Sequence, residues 1–258
     1  MLCRDIMKVI EATYPKHAAE AWDNVGLLVG RTEKEVKKIF IALDATDEVI
    51  ETAIQKGADM IVTHHPMIFS PMKKITDEHF IGSRVVKLLQ HDISYYAMHT
   101  NYDVLGMAEL SGHLLGLQDM DVFEVTDTEN AIGYGRIGYL EKEMTLEECC
   151  EYVKQRFSLP GVRLFGNKNK IVKRAAILPG SGKDMITTAI SKKAEVYITG
   201  DISHHDGIDA LAQGVAVIDA GHYGLEHIFV NDMVSYLEQY LEEVLIEKAE
   251  IFHPFQII

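Results

Sequence analysis

The sequence predicts an α/β protein of two similar βαβ-containing halves, with mostly parallel sheets flanked by helices. Three observations lead there. Short apolar runs at 39–43, 60–63, 93–98, 175–179, 196–199 and 215–219 alternate with helix-patterned segments, the signature of parallel strands joined by helical crossovers. The second half repeats the first: with Thr52-Ala53-Ile54 laid on Thr188-Ala189-Ile190, the run Ala58-Asp59-Met60-Ile61-Val62-Thr63 falls without a gap on Ala194-Glu195-Val196-Tyr197-Ile198-Thr199. Polar, histidine-bearing stretches follow the strands, where ligands bind in open parallel sheets. The halves divide into residues 1–126 and 127–258, together one compact unit.

Taken in order, Met1 to Tyr14 sets Arg4, Asp5, Lys8 and Glu11 among apolar positions, an amphipathic helix rather than a secretory core. Pro15 to Gly30 is irregular around Ala21-Trp22-Asp23-Asn24-Val25-Gly26, where Asp-Asn shortly before Gly favours a turn. The only tryptophan stands there, either anchored in the core or on a loop that touches substrate. Val36 to Leu43 reads as a strand, and Thr46 caps a helix over 47–56 that Gly57 closes. The next strand ends in Thr63-His64-His65-Pro66, equally readable as a solvated turn. A loop over 67–76, a helix over 77–91 and a strand over 93–98 then deliver His99-Thr100-Asn101-Tyr102-Asp103. Val104 to Leu117 has helical spacing, and Asp121 to Val125 and Ile132 to Leu140 are strands around a polar turn. Leu146 to Phe157 is an amphipathic helix whose Cys149 and Cys150 read as packing more than as nucleophile or ligand. Past the repeated strands, Val215 to Asp219 opens into Ala220-Gly221-His222-Tyr223-Gly224-Leu225-Glu226-His227 and a long helix to about Lys248.

Composition removes several classes of function. With 258 residues, 47% of them hydrophobic, the chain can bury a sizeable core unaided. A formal charge of -14, from 25 basic and 39 acidic residues, provides no basic footprint for a nucleic-acid backbone. Three cysteines, two of them adjacent, make no disulfide framework, and the simple expectation is a cytoplasmic protein. No apolar run is long enough to span a bilayer, so no membrane partner is expected.

The strand ends collect His64 and His65, then Asp103 with His99 nearby, then His222 and Glu226. His222 and Glu226 stand four apart and share a face if a helix begins by His222. In the second half Gly200 and Asp201 replace His64 and His65, so any chemistry is not duplicated with the fold. Three histidines and two carboxylates suit divalent transition metals such as zinc, iron, manganese, nickel or cobalt. Five ligands exceed what one catalytic zinc needs, which predicts two ions per chain roughly 3.5–4 Å apart.

On Trp22-Asp23-Asn24-Val25-Gly26, Val62-Thr63-His64-His65-Pro66, His99-Thr100-Asn101-Tyr102-Asp103, Thr199-Gly200-Asp201 with His204 and His205, and Gly221-His222-Tyr223-Gly224-Leu225-Glu226, the chain resembles the Nif-like family of GTP cyclohydrolase 1 type 2 homologues. The resemblance covers almost its whole length. It implies a dinuclear metal centre on His64, His65, Asp103, His222 and Glu226, a two-lobed α/β architecture and a toroidal homohexamer. Longer members carry a domain between the halves for which this chain is too short. The resemblance also implies hydrolytic opening of the guanine imidazole ring of GTP with release of formate, and His99 is then the candidate for proton transfer.

No guanine or triphosphate motif stands out. Leu178-Pro179-Gly180-Ser181-Gly182-Lys183-Asp184 lacks the first glycine of a phosphate loop and has Asp184 where a hydroxyl belongs, so a turn is the better reading than an anion nest. Three functions are compatible with the residues: a dimetal hydrolase of a nucleotide or other small anionic substrate, a metal-dependent phosphoesterase, and a non-enzymatic metal-loaded oligomeric interaction or regulatory protein.

Overall fold

A computed structural model describes residues 1–255. In chain order it begins with α1 (Cys3–Thr13), β1 (Gly26–Val29), β2 (Lys38–Ala42), α2 (Asp47–Gln55), β3 (Met60–Thr63), α3 (Phe80–Gln90), β4 (Ser94–Ala97) and the short turn α4 (Thr100–Tyr102). Then come α5 (Ala108–Leu115), β5 (Gln118–Asp127), β6 (Ile132–Thr145), α6 (Leu146–Phe157), β7 (Arg163–Phe165) and β8 (Ile171–Ser181). The chain closes with α7 (Ile186–Ser191), β9 (Val196–Gly200), α8 (His204–Ala212), β10 (Ala216–Asp219), α9 (His222–Glu226), α10 (Ile228–Glu238) and β11 (Leu245–Lys248).

These elements group into two units, and the grouping is discontinuous. Met1–Tyr102 with Phe229–Ile251 form the first, and Asp103–Ile228 with the tail from Phe252 form the second. The sequence had suggested one cut after residue 126. What it does not display is the return of α10 and β11: β11 pairs parallel with β2, Leu245 opposite Lys38, and extends the first sheet. For the same reason the long helix expected over 222–248 is three elements. Leu245-Ile246-Glu247-Lys248 has the alternation of an edge strand, and the backbone bonds supplied by β2 outweigh the helical propensity of its Leu, Glu and Lys.

In the first unit the sheet order is β1-β4-β3-β2-β11, parallel throughout except for β1. Met60 pairs with both Ile39 and Ser94, so β3 lies centrally and its carboxyl end opens beside that of β4. Phe40, Ile50, Ile61, Val85, Leu88 and Tyr95 form the core beneath α2 and α3. The second unit has the order β5-β6-β8-β9-β10-β7, with parallel pairing confined to β8-β9-β10 and antiparallel pairs on either side. Its core includes Phe123, Ile137, Ala176, Tyr197, Ala210 and Val217.

The internal repeat is visible bond by bond. The Asp59 carboxylate accepts the backbone N–H groups of Lys37 and Lys38 at 2.8 and 3.1 Å, and the matching Glu195 accepts those of Lys173 and Arg174 at 2.7 and 2.9 Å. Ala58 bonds back to Ala53 as Ala194 does to Ala189, both at 2.9 Å. Gly57 and Lys193 take the same left-handed turn, φ +67° and +58°. Within each unit, then, one carboxylate staples the entry of one strand to the start of the next.

Candidate functional site

The residues that follow β3 are fixed from below. His65 N–H donates to the Leu43 carbonyl at 3.0 Å, which holds the end of β3 to that of β2. The Tyr95 hydroxyl, on β4, donates to the His65 carbonyl and accepts from Met67 N–H, both at 2.8 Å. Burial pushes the Tyr95 phenol up to about 12, so it keeps its proton and its bonds. His64 is fully buried, its ring 5.4 Å from that of Phe229 and 6.0 Å from that of Tyr102.

His99 leaves β4 under similar control. Asn101 accepts from His99 N–H at 3.0 Å and donates to the Tyr14 carbonyl at 2.9 Å, anchoring the turn to the end of α1. The ligating atoms of His64, His65 and His99 all lie within 4.8 Å of one another. His65 Nδ1 is 2.7 Å from Asp44 Oδ1, and His99 Nδ1 is 2.9 Å from Asp23 Oδ1. A carboxylate at Nδ1 fixes the tautomer and leaves the Nε2 lone pair for an ion or a proton. Burial alone would raise the Asp23 acid, but the hydrogen bonds from His99 and Thr100 prevail and hold it at about 2. Asp23 therefore stays anionic against the ring it orients.

In the second unit His222 and Glu226 do share one face of α9, with Nε2 and Oε2 2.9 Å apart. His222 Nδ1 meets Asp201 Oδ2 at 2.9 Å, the same carboxylate-on-Nδ1 arrangement. Asp103 opens a π-helical turn, Asp103–Met107, and brings a carboxylate oxygen within 4.8 Å of one from the buried Glu226. Gly200 explains why the His64 position is not a histidine here. A Cβ at Gly200 would lie 2.5 Å from the His222 backbone nitrogen and 2.8 Å from the Gly180 carbonyl, so any side chain would displace the start of α9. Within the units, the structure thus gathers His64, His65 and His99 in the first, and Asp103 and His222 about Glu226 in the second.

The donor set fits divalent transition metals: imidazole nitrogens with their far side held by carboxylates, joined by carboxylate oxygens. Asp23 and Asp201 stand inside motifs named from the sequence, but their role of holding a ring at Nδ1 was not read, and Asp44, which directly follows the Phe40–Leu43 run, was not singled out at all. Cys149 and Cys150 are both buried, and burial raises their thiols to about 12 and about 11, so they serve packing. Gly180 and Ser181 end β8, and Lys183–Met185 form a single 3-10 turn, as the turn reading expected. Among the described residues, no helix is long and apolar enough to cross a membrane.

Fold and side chains define a two-unit α/β protein whose histidine and carboxylate groups are able to hold metal ions. The family model for Duf34/NIF3 (NGG1p interacting factor 3) matches residues 1–253, and the chain belongs to that family. A GTP cyclohydrolase 1 type 2 homolog of Clostridium perfringens is 34% identical, with all of both chains covered. One from Clostridium acetobutylicum is 36% identical over 93% of this chain and 91% of its own length. The crystal structure of a Bacillus cereus protein related to NIF3 superposes with a TM-score of 0.94 at 27% identity, covering 100% of this chain and 99% of that one.

Proposed function

We propose that the protein is a metal-dependent hydrolase of a nucleotide or another small anionic molecule. In this reading His64, His65, Asp103, His222 and Glu226 together hold two divalent ions, drawn from zinc, iron, manganese, nickel and cobalt. The observation that supports it most is the recurrent carboxylate on Nδ1 of His65, His99 and His222, which turns three Nε2 atoms into directed ligands or proton carriers. Ions of this kind supply Lewis acidity to the scissile group and lower the pKa of water toward neutrality.

The chain's own residues do the rest. Asp44 and Asp201, at Nδ1 of His65 and His222, orient each ring and select the tautomer whose Nε2 can face a metal. His99 carries the proton: with Nδ1 on the anionic Asp23, its Nε2 accepts a proton from the nucleophile and returns it to the leaving group, the imidazolium being stabilised by Asp23. The names of the relatives make ring opening of GTP the first reaction to assay.

Metal analysis of protein purified without chelator tests the reading. About two ions per chain are expected, with metal lost in His64→Ala and in Glu226→Ala. His99→Gln is expected to keep its metal and lose formate release from GTP. Metal-free protein, or metal indifferent to both alanine variants, would remove the basis for a hydrolase.

A further inference from the structure

The sequence left Trp22 either as a core anchor or as part of a ligand-facing loop, and the structure removes the first option. Trp22 is 58% exposed although it is the only tryptophan in the chain. Its ring lies 5.8 Å from that of Phe69, tilted by 51°, and Phe69 is itself 55% exposed. The indole also stands 6.1 Å from the His99 ring at 77°, edge to face.

The pair is held in place from behind. Asp23, adjacent in sequence, is bonded to His99 Nδ1 and to both the N–H and hydroxyl of Thr100. Asn24 donates its side-chain N–H to the Ile68 carbonyl at 2.6 Å, tying the tryptophan turn to the loop that carries Phe69. Two rings are thus left in solvent while the backbone beneath them is pinned by buried or half-buried polar bonds. Leaving that much aromatic surface in water costs hydrophobic free energy that folding does not recover.

We infer that Trp22, braced by Phe69, presents a stacking face to a planar heteroaromatic ring of a small-molecule ligand, placed so that the ring lies beside His99. The inference rests on the His64, His65 and His99 cluster facing substrate, and it names the part of the substrate that the cluster itself does not select. A planar ring fits because Trp22 and Phe69 already pack on each other and leave an outer aromatic face only about one ring wide, whose neighbour is the partly exposed His99 ring, edge to face with the indole; a protein surface would need a broader patch. Stacking is tolerant of ring identity, so this face selects for a π-system and leaves the choice among bases to other contacts.

The single tryptophan makes its own reporter. Titration of the metal-replete protein with guanosine 5′-monophosphate and adenosine 5′-monophosphate is expected to quench its fluorescence saturably, and ribose 5-phosphate is not. By calorimetry, Trp22→Ala is expected to weaken nucleotide binding about tenfold or more, Phe69→Ala to weaken it less, and Trp22→Phe to retain most of it, with metal content unchanged in all three. Equal binding of ribose 5-phosphate and the nucleotides, no binding of any of the three, or wild-type affinity in Trp22→Ala would overturn the stacking role of Trp22. Nucleotide binding that depends on Trp22 in a protein lacking metal or turnover would uphold that role while defeating the hydrolase reading, so the two fail separately.

Discussion

Asp44 and His65 show how a single neighbour sets the chemistry of an imidazole. The carboxylate is partly exposed and does little for the core, so Asp44→Ala is expected to change unfolding free energy by no more than about 0.5 kcal/mol. Its effect falls on the ring. Freed from the 2.7 Å contact, His65 samples both tautomers and several orientations, and metal affinity should drop roughly 10- to 100-fold. Competition with a chromophoric chelator measures this, and an unchanged affinity would make the contact a surface ion pair. The histidines were legible because they stand directly behind apolar runs, where periodicity alone marks a strand end. The roles of their carboxylates were not. Asp44 and Asp201 lie 21 residues from the rings they hold and Asp23 lies 76 away, so even where a motif contains the aspartate no sequence spacing pairs it with its histidine.

At the level of elements, the parallel strands and their crossover helices could be read because a buried strand needs an unbroken apolar run and an amphipathic helix needs its stripe. Three of the four edge strands could not. β1, β7 and β11 are three or four residues long and partly exposed, so little of their pattern comes from burial. Glu195 marks a junction that the sequence indicated through the repeat, without its reason. Its carboxylate bonds the two N–H groups that lead into the centre of β8, and although burial alone would raise the acid, those bonds with Lys170 and Arg174 lower it. A depressed folded-state pKa means stabilisation that is fully present above the unfolded value of about 4.3 and lost as pH falls below it through the lower folded-state value. Glu195→Gln should therefore cost about 1 kcal/mol at pH 7. Urea midpoints should approach those of the wild type as pH is lowered through the folded-state pKa of Glu195, and a penalty independent of pH would contradict this account.

For the whole molecule, the decisive fact is that the first unit is built from both sides of the second in sequence. Phe229, Met233 and Leu237 of α10 are fully buried in that unit, and β11 completes its sheet. A fragment of residues 1–126 is therefore expected to show no cooperative thermal transition by circular dichroism, because β2 lacks its neighbour and Phe229 is missing from beside His64 and Tyr102. A two-state melt of that fragment would show that the first 126 residues are self-sufficient. The halves inferred from the repeat are real as duplicated hydrogen-bond patterns, yet duplication of pattern does not require a duplicated, continuous folding unit.

The discontinuity also bears on how the protein is made. Once Tyr102 has left the ribosome, roughly 150 further residues must be translated before Ile251 appears, which at ~5–20 residues per second takes roughly 7–30 s. For that interval the histidine-bearing sheet is an unfinished nascent structure with an open edge at β2. The inserted unit, whose residues from Asp103 to Ile228 emerge as one uninterrupted stretch, is in a position to fold first. Completion of the sheet that carries His64 and His65 is thereby placed after translation of α10 and β11, later than that of the inserted stretch.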